Sequence, residues 1–353
     1  MFVDGHEDIA YNRLTLGRDF TQSARATRAR EGVPPADIGV CTTSLPDLLA
    51  GGVGVVFATL FTLPTTATNT SIATELGYRT PDEAHARAFA QLQYYRELAE
   101  RPDVRLVTSR ADLDAVRAGW TAGAPQLGLV PLMENADPIR TPDEAAWWYE
   151  QGLRIVGPAW HATRYCGGTN APGPLTELGR DLMRELGRTR LVLDISHLAE
   201  ESFWQALDLF DGTLIATHSN CRALLPNSRR ADRHLSDAMI RVMLERDAVI
   251  GTVPYGRFLR DDWIPERGKA ALGLDDLLRH IDHICQLAGD ARHVAFGSDF
   301  DGGFGSDAIP REIDTAADMP RLREALLAAG YHAADTDNIM GGNWLRVLES
   351  TLP

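Results

Sequence analysis

The chain has 353 residues, 44% of them hydrophobic, with a formal net charge of −14 and a pI near 5.1. That length suits a barrel of roughly 250 residues with insertions. The acidic balance argues against nucleic acid as a partner, because phosphate binding needs a basic surface. No run approaches the ~18 apolar residues that span a bilayer. The four cysteines, Cys41, Cys166, Cys221 and Cys285, form no C-x-x-C pair and read as reduced thiols of a cytoplasmic protein. No signal peptide is expected.

Short runs rich in Val, Ile and Leu alternate with amphipathic stretches along the whole chain. The predicted strands are 2–6, 53–61, 127–133, 153–157, 190–196, 213–217, 247–252 and 293–297. Such runs fit parallel strands buried on both faces. A further short strand, 104–107, is expected outside the barrel. The predicted helices are 81–100, 141–151, 176–186, 200–210, 236–246, 272–287 and 320–329, the first with Pro81 in its first turn and acids beside it. Eight strands in strand–helix alternation favour a single α/β domain over 1–353, a (β/α)8 TIM barrel with loop insertions. Two loops, 158–175 and 298–317, would lie over its catalytic face.

Several of these strands end in metal-type ligands. His6 and Asp8 stand two apart at the end of the first strand, so both reach the same side. Glu134 closes the third barrel strand, and a carboxylate can bridge two cations ~3.5–4 Å apart. His197 and His218 end successive strands; an imidazole there is costly to bury unless ligated or hydrogen-bonded. Strand ends converge on one face of a barrel, so these five residues can meet around two zinc-type ions. Asp299, at the end of the last strand, is placed to move a proton between water and a leaving amine, whereas Asp301 serves the Gly-rich turn. Arg229 and Arg230 lie in the loop after the sixth strand, and a guanidinium there could clamp a substrate carboxylate. His85, His234, His280, His283 and His332 read as surface or structural, and Trp147-Trp148 as core packing.

With Asp4-Gly5-His6-Glu7-Asp8, Leu193-Asp194-Ile195-Ser196-His197, Thr217-His218-Ser219-Asn220, Ser228-Arg229-Arg230, Gly297-Ser298-Asp299-Phe300-Asp301-Gly302 and Ile339-Met340-Gly341-Gly342-Asn343-Trp344 in this order, the chain resembles the membrane (renal) dipeptidase family of zinc metallopeptidases, in its soluble bacterial branch. The resemblance implies a (β/α)8 barrel of the metallo-dependent hydrolase type with two zinc ions. His6 and Asp8 would hold one, His197 and His218 the other, and Glu134 would bridge, with a hydroxide between the ions attacking the peptide carbonyl. Asp299 would shuttle the proton and Arg230 would bind the carboxylate of a dipeptide. Such enzymes often accept a D-residue at the second position, and members are commonly dimers. The family's oxyanion-steadying histidine after strand four falls on Trp160, with His161 one residue later. Either His161 does that job or the group is missing. The family's Arg-Asn step reads Arg230-Ala231, one residue further from His218. Two other readings stand beside a dipeptidase: a related hydrolase of another small amide, such as a β-lactam or modified dipeptide, and a non-catalytic binding protein.

Overall fold

The computed structural model describes residues 1–35, 38–67 and 77–353. Among them, nine strands appear: β1 (Phe2–Glu7), β2 (Val53–Phe61), β3 (Val104–Leu106), β4 (Leu127–Glu134), β5 (Ile155–Gly157), β6 (Val192–Asp194), β7 (Leu214–Ile215), β8 (Ile250–Thr252) and β9 (Val294–Phe296). Parallel pairing runs β1-β2-β4-β5-β6-β7, with β8-β9 as a second pair. Single parallel bridges, Ala216 to Ile250 and Glu7 to Phe300, join the two pieces into a ring of eight. β3 stands outside the ring, paired with β4 through Val104 and Leu127, as its sequence suggested. β5 to β9 are shorter than the apolar runs that announced them: β5 and β8 start later, while beyond β6 and β7 the chain leaves the ladder before reaching His197 and His218.

The barrel is filled as parallel strands require. Every residue of β2 is buried. Its Val55 and Phe57 point into the ring and pack with Val3, Val130, Leu132, Ile155, Ile215 and Ala295. Trp344 and Val347, from the helix Asn343–Thr351, join the same cluster. Trp344 meets Phe57 edge-on at 5.0 Å and donates its indole N–H to Phe296 O at 2.8 Å. This final helix therefore stoppers the barrel. Glycine makes room for the stopper: a Cβ at Gly5 would come within 2.8 Å of the Trp344 ring.

The outer helices start where their caps dictate. Helix Pro81–Leu98 follows Thr80, whose hydroxyl accepts from Glu83 N, with Pro81 at its first position. Helices Glu177–Thr189, Asp237–Glu245 and Leu274–Ala288 fall on the predicted stretches. Helices Ile9–Leu16, Ala24–Glu31, Leu45–Ala50 and Arg110–Thr121 were not foreseen. The first two show weak apolar patterning: in one the buried apolar residues are Ile9 and Ala10, and the other carries Arg25, Arg28 and Arg30. No helix among the described residues is long and apolar enough to cross a membrane.

Candidate metal centre and active site

The ligand-type residues meet at the C-terminal mouth of the ring. Glu134 presents its two oxygens to different neighbours: Oε2 lies 3.5 Å from His6 Nε2, while Oε1 lies 3.2 Å from His197 Nε2 and 3.5 Å from His218 Nε2. His6 Nε2 is 4.0 Å from Asp299 Oδ1. His6, Asp8 and Asp299 form one tight ligand group, and His6, Glu134 and His218 another. All six side chains are buried.

A small set of carboxylates and hydroxyls aims these imidazoles. Asp194, the last residue of β6, accepts from Ser196 N and Thr217 N with one oxygen and from the Thr217 hydroxyl, at 2.6 Å, with the other. That hydroxyl has spent its proton on Asp194, so it can only accept from the rings beside it. His218 Nδ1 stands 2.9 Å and His6 Nδ1 3.2 Å from it. Both imidazoles therefore donate from Nδ1 and turn toward Glu134 their Nε2, the nitrogen that a cation displacing any proton there would take as ligand. Thr169 meets His197 Nδ1 at 2.9 Å. Asp4 repeats the device on β1, accepting from His6 N and Ser298 N. The backbone turns sharply at each strand end: Asn135, His197 and Asp299 all hold φ between 52° and 77°, the left-handed region that functional turns tolerate.

The electrostatics suit a cation. Burial alone would lower His6, but Glu134, Asp299 and Asp8 outweigh it and push it up to about 10. Burial would raise Glu134, yet the imidazoles hold it well below the carboxylate range. Asp8 is pushed up to about 7 by burial and by Glu134. Burial also raises Asp299, opposed by His6. Burial, then Arg233, lowers His197 to about 4, and burial keeps His218 neutral as well. His197 Nε2 and His218 Nε2 lie 2.9 Å apart, while His6 Nε2 and Glu134 Oε1 are buried without a hydrogen-bond partner. A proton between His197 and His218 would answer one of these lone pairs; divalent cations bound by nitrogen and oxygen donors answer all of them. The donor set fits a metal centre.

Above this floor opens a cavity of about 400 Å³. Its lining on one side is Tyr11, Phe61, Leu63 and Trp160, and on the other Arg230, Arg233, Tyr255 and Arg257. Both loops picked out in the sequence contribute, through Trp160, Thr169 and Asn170 and through Gly302, Gly303 and Phe304. Trp160 packs edge-on against Phe61 at 5.4 Å. His161 is not among the lining residues: its carbonyl is turned back onto Gly168, where a Cβ would sit 2.5 Å away. Arg229 and Arg230 are exposed. Asp301 is buried away from the cluster, accepting from Thr42 N and Thr43 N and facing Arg18 at 3.6 Å.

Sequence reasoning missed Arg233. It is buried, donates to His218 O at 2.7 Å and Ser219 Oγ at 3.2 Å, and lies over the Phe258 ring at 5.0 Å. Its Nε has no partner. Burial lowers it to about 10, while Asp299 and Glu134 favour its charge. In the sequence it looks like one more arginine of an arginine-rich loop.

The model of the membrane dipeptidase family, peptidase family M19, matches residues 1–352. The chain is 35% identical over 257 residues, 70% of its own length and 89% of the other's, to an uncharacterized protein of the pqqA 5′ region of Klebsiella pneumoniae. It is 31% identical over 177 residues to an uncharacterized dipeptidase of Schizosaccharomyces pombe, covering 50% of this chain and 40% of that one. Among solved structures it superposes with a TM-score of 0.78, at 27% identity and over 99% of both chains, on a metallo peptidase from Rhodobacter sphaeroides liganded with a phosphinate mimic of the dipeptide L-Ala-D-Ala. With ligand-type side chains at the strand ends of a (β/α)8 barrel and a family match along nearly its whole length, the chain belongs to the membrane dipeptidase family M19 and is a metallodipeptidase.

Proposed function

We propose that the protein hydrolyses the peptide bond of small dipeptides with a pair of zinc ions, His6 and Asp8 holding one, His197 and His218 the other, and Glu134 bridging. The observation that carries this reading is the division of Glu134: one oxygen toward His6, the other toward His197 and His218. A metal pair held by these residues would supply a nucleophilic hydroxide at neutral pH and polarise the scissile carbonyl.

The chain's own residues do the rest. Asp299, buried beside His6 and with its carboxyl raised by that burial, accepts a proton at Oδ and returns it to the leaving amine. Arg233 anchors the dipeptide's α-carboxylate, since its unpaired Nε is buried in the cavity wall and a two-pronged guanidinium matches that group. This role moves from Arg230, which sits exposed at the mouth. Trp160 and Phe61 exclude water from the opposite side. Trp160 lines the cavity and His161 does not, which supports the reading that the oxyanion-steadying histidine is missing here. A D-residue at the C-terminal position is included because the Rhodobacter sphaeroides relative holds a mimic of L-Ala-D-Ala.

The test is hydrolysis of L-Ala-L-Ala and L-Ala-D-Ala by zinc-loaded protein, with chelator and with Glu134→Gln alongside. Turnover abolished by either treatment is expected. Turnover indifferent to both would overturn the reading.

A further inference from the structure

The cavity carries more positive charge than an ordinary dipeptide can use. Among the described residues, its acidic lining is Asp8, Glu134 and Asp299, all on the floor and committed to the cation site. The wall rising from β7 and β8 holds Arg230, Arg233 and Arg257. In a chain with 49 acids against 35 bases, most arginines find a carboxylate: Arg28 meets Asp314, Arg140 meets Glu144 and Arg222 meets Glu200. Among the described residues, Arg230 and Arg257 have no acidic partner; the Arg257 charge instead acts on the Tyr255 hydroxyl. Both guanidinium groups are exposed at the mouth, above the buried Arg233. Three guanidinium groups face a substrate whose backbone brings one carboxylate.

The rest of the cavity tells the two ends of a substrate apart. β2, which supplies Phe61 and leads to Leu63, stands four places from β7 in the ring of eight, so the apolar wall lies across the mouth from the arginines. An N-terminal residue with an apolar side chain suits Tyr11, Phe61, Leu63 and Trp160. The C-terminal residue then lies under Arg230 and Arg257.

We propose that this wall selects dipeptides whose C-terminal residue bears a side-chain carboxylate, with Arg233 taking the α-carboxylate and Arg230 and Arg257 the second one. The inference rests on the dipeptidase reading and deepens it. Uncommitted charge at a mouth of this kind discriminates by attraction and by the cost of leaving it unanswered.

The experiment compares kcat/KM of the zinc-loaded full chain for L-Ala-L-Glu and L-Ala-D-Glu with their neutral isosteres L-Ala-L-Gln and L-Ala-D-Gln, with L-Ala-L-Ala as reference. The better Glu substrate should exceed its Gln counterpart on the order of tenfold, what two rim-exposed ion pairs reach together. That ratio should shrink as salt rises from 0.05 to about 0.5 M, since exposed charges are screened. It should also fall toward one in the Arg230→Ala/Arg257→Ala double variant, mainly through KM. Cleavage of L-Ala-L-Ala and the Gln peptides without preference for Glu would overturn this inference and leave the dipeptidase reading standing. So would a preference that neither salt nor the double variant changes. No turnover of any peptide would overturn both.

Discussion

Replacing Thr217 by valine keeps the side chain's shape and removes one hydroxyl. That hydroxyl accepts from Nδ1 of His218 and His6, at 2.9 and 3.2 Å, and donates to Asp194 at 2.6 Å. The variant leaves two imidazole N–H groups and a carboxylate oxygen buried without their partner. Each such loss costs about 1–3 kcal/mol before relaxation. The backbone bond from Thr217 N to Asp194 survives at 2.9 Å, so the strand ends stay joined and a net loss near 3 kcal/mol is expected in the metal-free protein. The larger consequence is for the centre. Without an acceptor at Nδ1, His6 and His218 no longer favour the tautomer that turns Nε2 toward Glu134, and zinc affinity should fall about 10–100-fold, as when other outer-shell partners are removed. Competition against a chelator of known affinity measures this, and Thr217→Ser, which keeps the hydroxyl, should restore most of it. Unchanged zinc affinity in Thr217→Val would refute the idea that this hydroxyl sets the two rings.

Three further outcomes follow from the same geometry. Arg233→Met should lower kcat/KM for dipeptides by at least about 30-fold, the loss expected when one partner of a buried charge pair is removed, and mostly through KM; a normal KM would remove Arg233 from substrate binding. Asp8 sits near 7 in the metal-free fold against 3.8 when unperturbed, so the folded state keeps a proton that the unfolded chain has released. Chelator-treated protein should therefore lose stability as pH rises from about 4 to about 7, and Asp8→Asn should flatten that decline in thermal melts; identical slopes would contradict it. Finally, a Cβ at Gly297 would lie 1.8 Å from Thr217 O, so Gly297→Ala should destabilise the fold by about 3 kcal/mol or more and disturb His218, visible as a lower midpoint in urea.

Much of this was legible because a barrel strand is an apolar run and a ligand at its end is a conspicuous interruption. His6, Asp8, Glu134, His197 and His218 each stand where such a run stops, and the fold brings them together, His197 through Glu134 and His218. The helices with a clear cap, such as Pro81–Leu98 behind Thr80, were equally plain. What stayed hidden depends on tertiary position. Arg233 differs from Arg229 and Arg230 only in being buried, and no local pattern encodes that. Asp194 and Thr217 stood in the quoted motifs, but their task of aiming the imidazoles emerges only when β6 and β7 lie side by side. Trp344 stood out in the sequence as part of a family motif, but its physical task, stoppering the barrel against Phe57, emerges only from packing.

The central claim is that two ions, divided by Glu134, do the chemistry on a dipeptide. It is tested most directly by native mass spectrometry of the metal-stripped protein titrated with zinc, read against hydrolysis of L-Ala-D-Ala and L-Ala-L-Ala in the same samples. Two zinc ions per chain, with full turnover only once both are bound, is the predicted result. Saturation at one ion, or full turnover before any is bound, would contradict it.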